Sequence, residues 1–409
     1  MKKFFINLIS IFIPHRSWRK KTRVWLKNNI NIPPVFVIQS RYINKIKSLQ
    51  KKPEKIIIVF LVWENSKWNG DILYKKFANS KNFKPIVLVV SEDPKDYEFY
   101  ELHGYEVYCI SNDNDLQKHN PDIIFYQQPW YSLADKFTPA KLSKYALLCY
   151  FPYAISTTIE LPMIWNKCEL FFKSLYCHFV FNQTLSEQFK SYGVFNTIVT
   201  GHPKLDVYNT PIKINLWKNK NKYKIIYAPH HSFEDTSLKW ATFQWNGKEI
   251  LKMAKNNPDT EWVFKPHPIF KKNLLNNKIM TAQEIDSYFD EWAKIGQVYE
   301  SGNYFDIFRT SNLLITDCGS FLTEYLPTKN PVIHLVAQNK TTVYRSSIYE
   351  QSSRNYYKVK NSEELEQTFN MLVKENEDPL KTNRLKDASE ITFSSAENIF
   401  YYIENLLKK

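Results

Sequence analysis

Apolar runs of strand length, each followed by a segment that can form a helix, recur along most of this 409-residue chain. The first set reads KIIIVFLVW (55–63), PIVLVV (85–90), EVYCI (106–110), DIIFYQ (122–127), ALLCYF (146–151), CHFVFN (177–182) and TIVTG (197–201). Runs this short and this apolar are typical of strands that are buried on both faces. Because helical segments separate them, the pattern predicts a parallel, doubly wound α/β sheet.

The alternation stops at a polar stretch rich in Lys and Asn, residues 209–223, and then restarts. Further strand-like runs occupy 224–229, 260–268, 296–301, 312–317 and 331–336. Helices are predicted near 246–256, 282–294 and 303–310, and two more at 361–374 and 386–408. We therefore predict two Rossmann-like domains, 55–208 and 224–385, joined by the linker and followed by a C-terminal helix at 386–409. Ligands of such paired sheets bind in the cleft between the carboxyl ends of the strands.

Glycine is scarce in this chain, and its spacing excludes two large classes of nucleotide-binding protein. Only eight glycines occur, and the two nearest to each other are Gly296 and Gly302. The dinucleotide fingerprint G-x-G-x-x-G and the phosphate loop G-x-x-x-x-G-K both need closer glycines. A Rossmann dehydrogenase and a P-loop kinase are therefore excluded.

The five cysteines are scattered and form no C-x-x-C pair. They lie at Cys109, Cys149, Cys168, Cys177 and Cys318. Neither a zinc ribbon nor a disulfide framework is indicated, and a reducing, cytoplasmic compartment fits this usage best.

The positive charge is concentrated at the amino-terminal end. Residues 1–55 hold fourteen Lys and Arg against the single acid Glu54, whereas the rest of the chain has 41 bases and 40 acids. A nearly neutral body argues against nucleic acid as a partner. Apolar residues recur at helical spacing at positions 4, 5, 8, 9, 12 and 13, in a run about half as long as a membrane span requires.

Six bases with Trp18 and Trp25 among them follow that apolar run, and no small-residue cleavage site is present. This pattern is typical of an amphipathic segment that lies on an anionic lipid surface. We predict that residues 1–54 bind peripherally to the inner face of the cell membrane. The alternative is an ordinary basic helix that packs on the protein body.

Four polar clusters follow strands in or near the second half of the chain. They are GHPKLD (201–206), APHHSFED (228–235), KPHP (265–268) and TDCGSFLTE (316–324). Since the carboxyl ends of parallel strands share one edge of a sheet, these clusters should meet at the cleft.

The last cluster resembles a phosphate-binding turn. Ser320 stands near the start of a helix, where free N–H groups attract anions, and Gly319 would let a phosphate approach the backbone. Thr316 and Asp317 belong to the same turn, and Glu324 lies on the same helix face as Ser320, suited to ribose hydroxyls. The alternative is that Ser320 is a plain helix cap and Glu324 a solvated side chain.

In KPHP, Lys265 and His267 alternate at a strand end and can project toward one face. A cation and an imidazole there would offset charge on a transferring or departing phosphate. A purely structural histidine is the alternative.

Residues 201–336 resemble the CDP-glycerol glycerophosphotransferase family. The motifs that carry the resemblance are GHPKLD, IIYAP with its polar loop, KPHP and SNLLITDCGSFLTEYLPTKNPVIHL. The resemblance implies a GT-B fold without a metal or cofactor requirement. It implies transfer of an alditol phosphate from a CDP-alditol to a hydroxyl of a surface glycan or lipid-linked acceptor. It also implies a pyrophosphate contact by His267, with Ser320 and Glu324 in the donor site.

The chain departs from the family pattern in three places. Gly319 replaces the first Ser of a Ser-Ser pair, and HHSFED (230–235) replaces Thr-Trp-Arg-Asp. The first-domain His-Gly that would activate the acceptor is absent from 149-CYFPYAISTT-158. His103-Gly104 matches as text, but it falls where a helix should end, so we interpret it as a helix cap.

Candidate bases for the acceptor hydroxyl are therefore His230, His231, Glu234 and Asp235. The two histidines are favoured because imidazole titrates near neutral pH. Acceptor-side candidates in the first half are Trp63, Glu64, Gln128, Trp130, Tyr150 and Tyr153, each of which could equally be core or wall. The pair Asp113 and Asp115 looks like a metal motif, but it lies in a polar turn and is set aside.

The predicted function is transfer of glycerol phosphate, or a related alditol phosphate, in the synthesis of a capsule, teichoic-acid-like polymer or lipopolysaccharide. Two alternatives stay open: a GT-B glycosyltransferase that uses a nucleotide sugar, and a non-catalytic membrane-bound assembly partner.

Overall fold

The computed structural model describes residues 34–128, 137–155, 166–233, 240–300, 302–336 and 347–408. Seven parallel strands form the first sheet, in the order β3-β2-β1-β4-β5-β6-β7. Their bounds are β1 Ile56–Val62, β2 Phe83–Val89, β3 Val107–Cys109, β4 Ile123–Tyr126, β5 Leu147–Tyr150, β6 Cys177–Val180 and β7 Thr197–Val199. Every neighbouring pair is parallel, as strands buried between helices require.

The second sheet has six parallel strands in the order β10-β9-β8-β11-β12-β13. Their bounds are β8 Tyr223–Ala228, β9 Thr260–Phe264, β10 Gln297–Val298, β11 Leu313–Thr316, β12 Val332–Leu335 and β13 Tyr357–Val359. The strand β13 was not predicted, because it is an edge strand of three residues with only one fully buried member. Two Rossmann-like sheets confirm the predicted α/β GT-B architecture.

Helices cover the sheets. In the first half they are α1 Pro34–Leu49, α2 Asp71–Ala78, α3 Pro94–Leu102, α4 Asp113–Lys118, α5 Pro139–Leu142, α6 Asn166–Ser174 and α7 Gln183–Ser191. In the second half they are α8 Phe243–Asn256, α9 Phe270–Asn276, α10 Ala282–Ile295, α11 Phe305–Thr310, α12 Gly319–Tyr325, α13 Ser347–Ser353, α14 Ser362–Phe369, α15 Lys381–Ser389 and α16 Ser395–Asn405. The predicted helix 386–408 is thus two helices, separated by a break at residues 390–394.

The last helix, α16, packs on the first domain although it follows the second in sequence. Ile399 and Ile403 are fully buried in the same apolar core as β1 and α2. The carboxylate of Asp206 accepts hydrogen bonds from the first two backbone N–H groups of α16, at 2.8 and 2.7 Å. This carboxylate therefore caps α16 and fixes its docking position.

The amino-terminal helix α1 belongs to the first domain as well, since Ile38, Tyr42 and Leu49 are buried in that core. The amphipathic run at residues 1–33, on which the membrane prediction depends, lies outside the described residues. Within the described ranges, no helix has the length and apolarity needed to cross a membrane.

Candidate active site

Each sheet has one point where the chain reverses direction across the sheet, and both points present polar residues. In the first sheet it lies between β1 and β4, and in the second between β8 and β11. Open α/β sheets bind ligands in the crevice at such points. The segments that leave these strands are 63–64, 127–128, 229–231 and 317–320.

Three histidines that follow two neighbouring strands of the second sheet form a cluster. The ring centres of His230 and His231 are 4.5 Å apart, and that of His267 lies 4.0 Å from His231 and 6.0 Å from His230. The first two follow β8 and the third follows β9, so adjacent parallel strands bring them together. This contact could not be read from the sequence, although each histidine was singled out there.

Local donors occupy Nδ1 of two of these rings. The backbone N–H of Ser232 donates to Nδ1 of His230 at 3.1 Å, and that of Ile269 donates to Nδ1 of His267 at 3.3 Å. A ring nitrogen that accepts carries no proton, so these bonds favour the neutral tautomer of each ring with its proton on Nε2; in His230 the Ser232 hydroxyl, 2.7 Å away, then also donates to Nδ1. Both rings are therefore hydrogen-bond donors through Nε2.

Asn273 on α9 fixes the third ring in the same tautomer. Its amide Nδ2 donates to the backbone oxygen of His231 and to Nδ1 of the ring, both at 3.0 Å. The first bond sets the orientation of the amide, and the second makes Nδ1 an acceptor. Sequence analysis missed Asn273, because no local pattern links it to His231.

At neutral pH, His267 is an uncharged imidazole. Burial, together with the neighbouring His231, Lys265 and Lys67, lowers its pKa to about 3. The expected charge at KPHP therefore comes from Lys265 alone, and His267 can act on an anion through its N–H.

Lys265 places an ammonium group in an almost fully buried position, with 5% of the residue exposed. Burial lowers its pKa to about 8, while Cys318 and Glu324 oppose that shift. Its Nζ lies 4.9 Å from the ring centre of Tyr304 and 5.5 Å from that of Phe321. Among the described residues, this ammonium group contacts only the faces of aromatic rings. Its N–H groups are therefore available to an anion.

The turn after β11 has the predicted strand–turn–helix form, with Cys318 at the cap of α12. Ser320 is partly exposed, and its hydroxyl lies 3.3 Å from Sγ of Cys318. Gly319 is buried beneath Trp240, and a Cβ added there would come within 2.5 Å of the indole ring. This packing alone explains why residue 319 is a glycine. The predicted contact between Gly319 and a phosphate stays a prediction.

Thr316 and Asp317 are engaged by the protein. The Thr316 hydroxyl donates to the backbone oxygen of Ala228 at 2.6 Å. Asp317 accepts from the backbone N–H of His230 at 2.5 Å and from the N–H and hydroxyl of Thr242 at 2.7 and 2.9 Å. Burial raises the pKa of Asp317 to about 6, against these hydrogen bonds. Both residues hold the loops of the site in place. To contact a nucleotide donor, either of them would have to give up these hydrogen bonds.

Glu324 is fully buried, and the residues around it already use its carboxylate. Lys204 pairs with Oε1 at 2.7 Å, and the Tyr304 hydroxyl donates to Oε2 at 2.5 Å. Tyr208 adds a hydrogen bond to its backbone oxygen. A ribose hydroxyl would have to compete with these donors.

The GHPKLD cluster bonds to the first domain and, through Lys204, to the second. Besides the Lys204–Glu324 pair and the Asp206 cap of α16, Nε2 of His202 donates to the backbone oxygen of Pro152 at 2.9 Å. These bonds account for its polar residues through structure rather than ligand binding.

On the first-domain side, a short 3-10 turn, Asn65–Lys67, follows β1, with Glu64 at its N-cap. The Glu64 carboxylate accepts from the Ser66 hydroxyl at 3.1 Å and lies 4.0 Å from Nζ of Lys67. The Lys67 ammonium lies 5.1 Å from the ring centre of Tyr153. The Lys67 charge also contributes, after burial, His231 and Lys265, to the lowered pKa of His267.

The remaining acceptor-side candidates differ in exposure. Gln128 and Tyr150 are buried, the latter against Phe171 and Phe172, whereas Trp63 is half-buried at the end of β1. Trp130, and the candidate bases Glu234 and Asp235, lie outside the described residues.

Two motifs set aside on sequence grounds have structural roles. Gly104 adopts φ +75° directly after α3, with His103 at the C-cap, which confirms the interpretation as a helix end. Asp113 and Asp115 lie in the first turn of α4 and face Lys141 and Lys118. In the described part of the chain, no three acidic, His or Cys side chains are grouped to hold a metal ion.

The fold is shared with several solved structures. A putative UDP-N-acetylglucosamine 2-epimerase from Listeria monocytogenes gives a TM-score of 0.61 at 14% identity, covering 87% of this chain and 97% of its own. The S. aureus MnaA–UDP co-structure gives 0.61 at 15% identity, with 87% and 98% covered. The wall teichoic acid polymerase TagF gives 0.56 at 13% identity, with 100% and 98% covered. No curated protein sequence matches this chain.

The paired parallel sheets and the crevice between their strand ends define the GT-B fold. A family model described as CDP-Glycerol:Poly(glycerophosphate) glycerophosphotransferase matches residues 179–389, just over half of the sequence. The chain belongs to this family, which confirms the resemblance drawn from its motifs.

Proposed function

We propose that this protein transfers an alditol phosphate, glycerol phosphate in the first place, from a CDP-alditol to a hydroxyl of a cell-surface glycan. CMP is the product that leaves. The observation that carries the proposal is the buried ammonium of Lys265 next to three imidazoles that donate through Nε2. Together with the family match, this set of hydrogen-bond donors fits a diphosphate better than it fits a neutral ligand.

The chemistry asked of these residues is mainly positioning and charge stabilisation. In the proposed reaction, the acceptor oxygen attacks the phosphorus next to glycerol, and the bond to the CMP oxygen breaks. Negative charge then grows on the departing phosphate. Lys265 and the Nε2–H of His267 can offset that charge, and burial strengthens both interactions because water is excluded. Ser320 and the start of α12 add donors from the facing turn.

The proposed setting is the inner face of the cell membrane. The basic, amphipathic residues 1–33 support it, as does an acceptor that is a growing glycan or is lipid-linked. The glycan acceptor would approach from the first-domain side, where Glu64, Lys67 and Tyr153 lie together after β1 and β5.

A screen of nucleotides against the full-length protein tests the donor. CMP and CDP-glycerol are expected to raise Tm and to bind in calorimetry, and UDP and GDP are not. With an acceptor, CMP should be released and phosphate transferred along with glycerol. Release of a nucleoside diphosphate with transfer of sugar alone would instead identify a glycosyltransferase that uses a nucleotide sugar. The HHSFED loop, which replaces Thr-Trp-Arg-Asp, favours that alternative. Absence of any donor binding would favour the non-catalytic partner.

A further inference from the structure

The proposed transfer needs a group that takes the proton from the acceptor hydroxyl. The three clustered histidines are poor candidates in the observed arrangement, because Nδ1 of each is already an acceptor and Nε2 carries the proton. For one of them to act as a base, its ring would have to lose that local hydrogen bond and change tautomer. The first-domain segment 149–158 has no histidine.

Glu64 offers a carboxylate at the reversal point of the first sheet. It follows β1 by two residues, at the edge where ligands of such sheets bind. Its backbone is extended, at φ −119° and ψ 138°, and it stands at the N-cap of the 3-10 turn without using its side chain as a cap. The side chain is 44% exposed, so an acceptor can reach it.

The contacts of this carboxylate leave one oxygen available. The Ser66 hydroxyl and the Lys67 ammonium both approach Oε2, at 3.1 and 4.0 Å. Among the described residues, no donor contacts Oε1 of Glu64. Ser66 and Lys67 thus orient the carboxylate, and a free lone pair remains for a proton.

Its position relative to the donor site follows from the two sheets, and Lys67 supports it. This residue, in the same turn, acts electrostatically on His267 in the other domain. It also lies over the Tyr153 ring, which belongs to the loop after β5. Glu64 lies at the reversal point of the first sheet and the imidazoles follow β8 and β9 in the second, so in this fold they belong to opposite walls of the cleft.

We propose that Glu64 is the general base of the transfer, a role that rests on the proposed function. The acceptor hydroxyl gives its proton to Oε1 of Glu64 as its oxygen forms the new bond to phosphorus. The bond from phosphorus to the CMP oxygen breaks, and its electron pair leaves with CMP. The protonated Glu64 afterwards releases the proton to solvent, and no other reactant is consumed.

The test compares Glu64→Gln and Glu64→Ala with the wild type and with Glu98→Gln, an exposed glutamate on α3 that serves as control. CMP release with acceptor, the Kd of CDP-glycerol by calorimetry, and Tm are measured for each. Glu64→Gln is expected to lower kcat by roughly 100- to 10,000-fold, the range typical of a lost general base. Its donor Kd and Tm should match those of Glu98→Gln.

Sodium formate provides a second measurement, because a small carboxylate can enter the space that Glu64→Ala leaves. Formate should restore part of the kcat of Glu64→Ala and leave that of Glu64→Gln unchanged. Wild-type kcat in Glu64→Gln, a donor Kd that weakens as much as kcat falls, or no rescue by formate would each overturn the assignment. If the wild type itself releases no CMP from a CDP-alditol, the proposed function fails instead, so the two failures are distinguishable.

Discussion

Replacing Lys265 with methionine should make the protein more stable and much less active. Burial shifts the pKa of this lysine from 10.5 to about 8, a difference of 2.5 units. At about 1.4 kcal/mol per unit, folding with the charge in place costs about 3 kcal/mol at pH 7. Methionine has a similar shape and no charge, so it removes this cost but also loses the contacts with Tyr304 and Phe321. Since each of the two cation–π contacts, at 4.9 and 5.5 Å, is worth about 0.5–1 kcal/mol, the net gain should be about 1–2 kcal/mol.

The pH dependence of that gain identifies its origin. Below pH 8 the lysine is charged in both the folded and the unfolded state, so the folded protein bears the full cost. Between pH 8 and 10.5 the unfolded chain binds more protons than the folded one, and the stability of the wild type rises with pH. The difference in Tm between Lys265→Met and the wild type should therefore be largest at pH 7 and should shrink above pH 8.

Thermal unfolding at pH 7 and pH 9.5 measures this difference, and CMP release at pH 7 measures activity. Loss of a hydrogen bond from a charged group, about 1.5–3 kcal/mol, predicts a roughly ten- to hundredfold fall in kcat/KM. Lys271→Met is the matched control, because Nζ of Lys271 lies 4.0 Å from the Phe289 ring centre but its side chain is 42% exposed. A Lys265→Met protein that is less stable than the wild type at pH 7, or a difference independent of pH, would refute the reasoning.

Three further predictions concern other parts of the molecule. Ser320→Ala should lower kcat/KM roughly ten- to hundredfold at unchanged Tm, by loss of one hydrogen bond to a phosphate; wild-type turnover would mean that this turn does not hold the donor. Glu324→Gln should lower stability by about 2 kcal/mol, because Lys204 loses its buried partner, and the double variant with Lys204→Met should recover part of that loss in Tm. Deleting residues 1–27 should abolish sedimentation with anionic liposomes and leave Tm unchanged; equal sedimentation of both proteins would contradict membrane binding by this segment.

The fold could be predicted because its signals are local. Each buried strand shows as a short apolar run, and each helix between two strands enforces parallel pairing. The same logic places KPHP and TDCGSFLTE at one edge of the second sheet, and the structure has both there. The short strand β13 lacks an apolar run, and the break before α16 carries no proline or glycine, so neither gave a local signal.

The partners of the site residues could not be predicted, because they come from distant parts of the chain. Glu324 meets Lys204 across 120 positions, and Asn273 meets His231 across 42. Trp240 covers Gly319 by packing that no pattern near either residue indicates. A polar residue at a strand end is in a position to bind a ligand. Tertiary contacts decide which of its atoms are still available for that binding.

The docking of α16 on the first domain has a consequence for how the protein folds during synthesis. Phe400 packs against Phe77 and Phe83, with ring centres 5.4 and 5.7 Å apart, and Ile403 is fully buried beside them. The ribosome makes these residues roughly 200 positions after the first sheet is finished, a delay of about 10–40 s at 5–20 residues per second. Over that interval the apolar surface beneath α16 is exposed. A chaperone that shields this surface would therefore be needed most while the second domain is being translated.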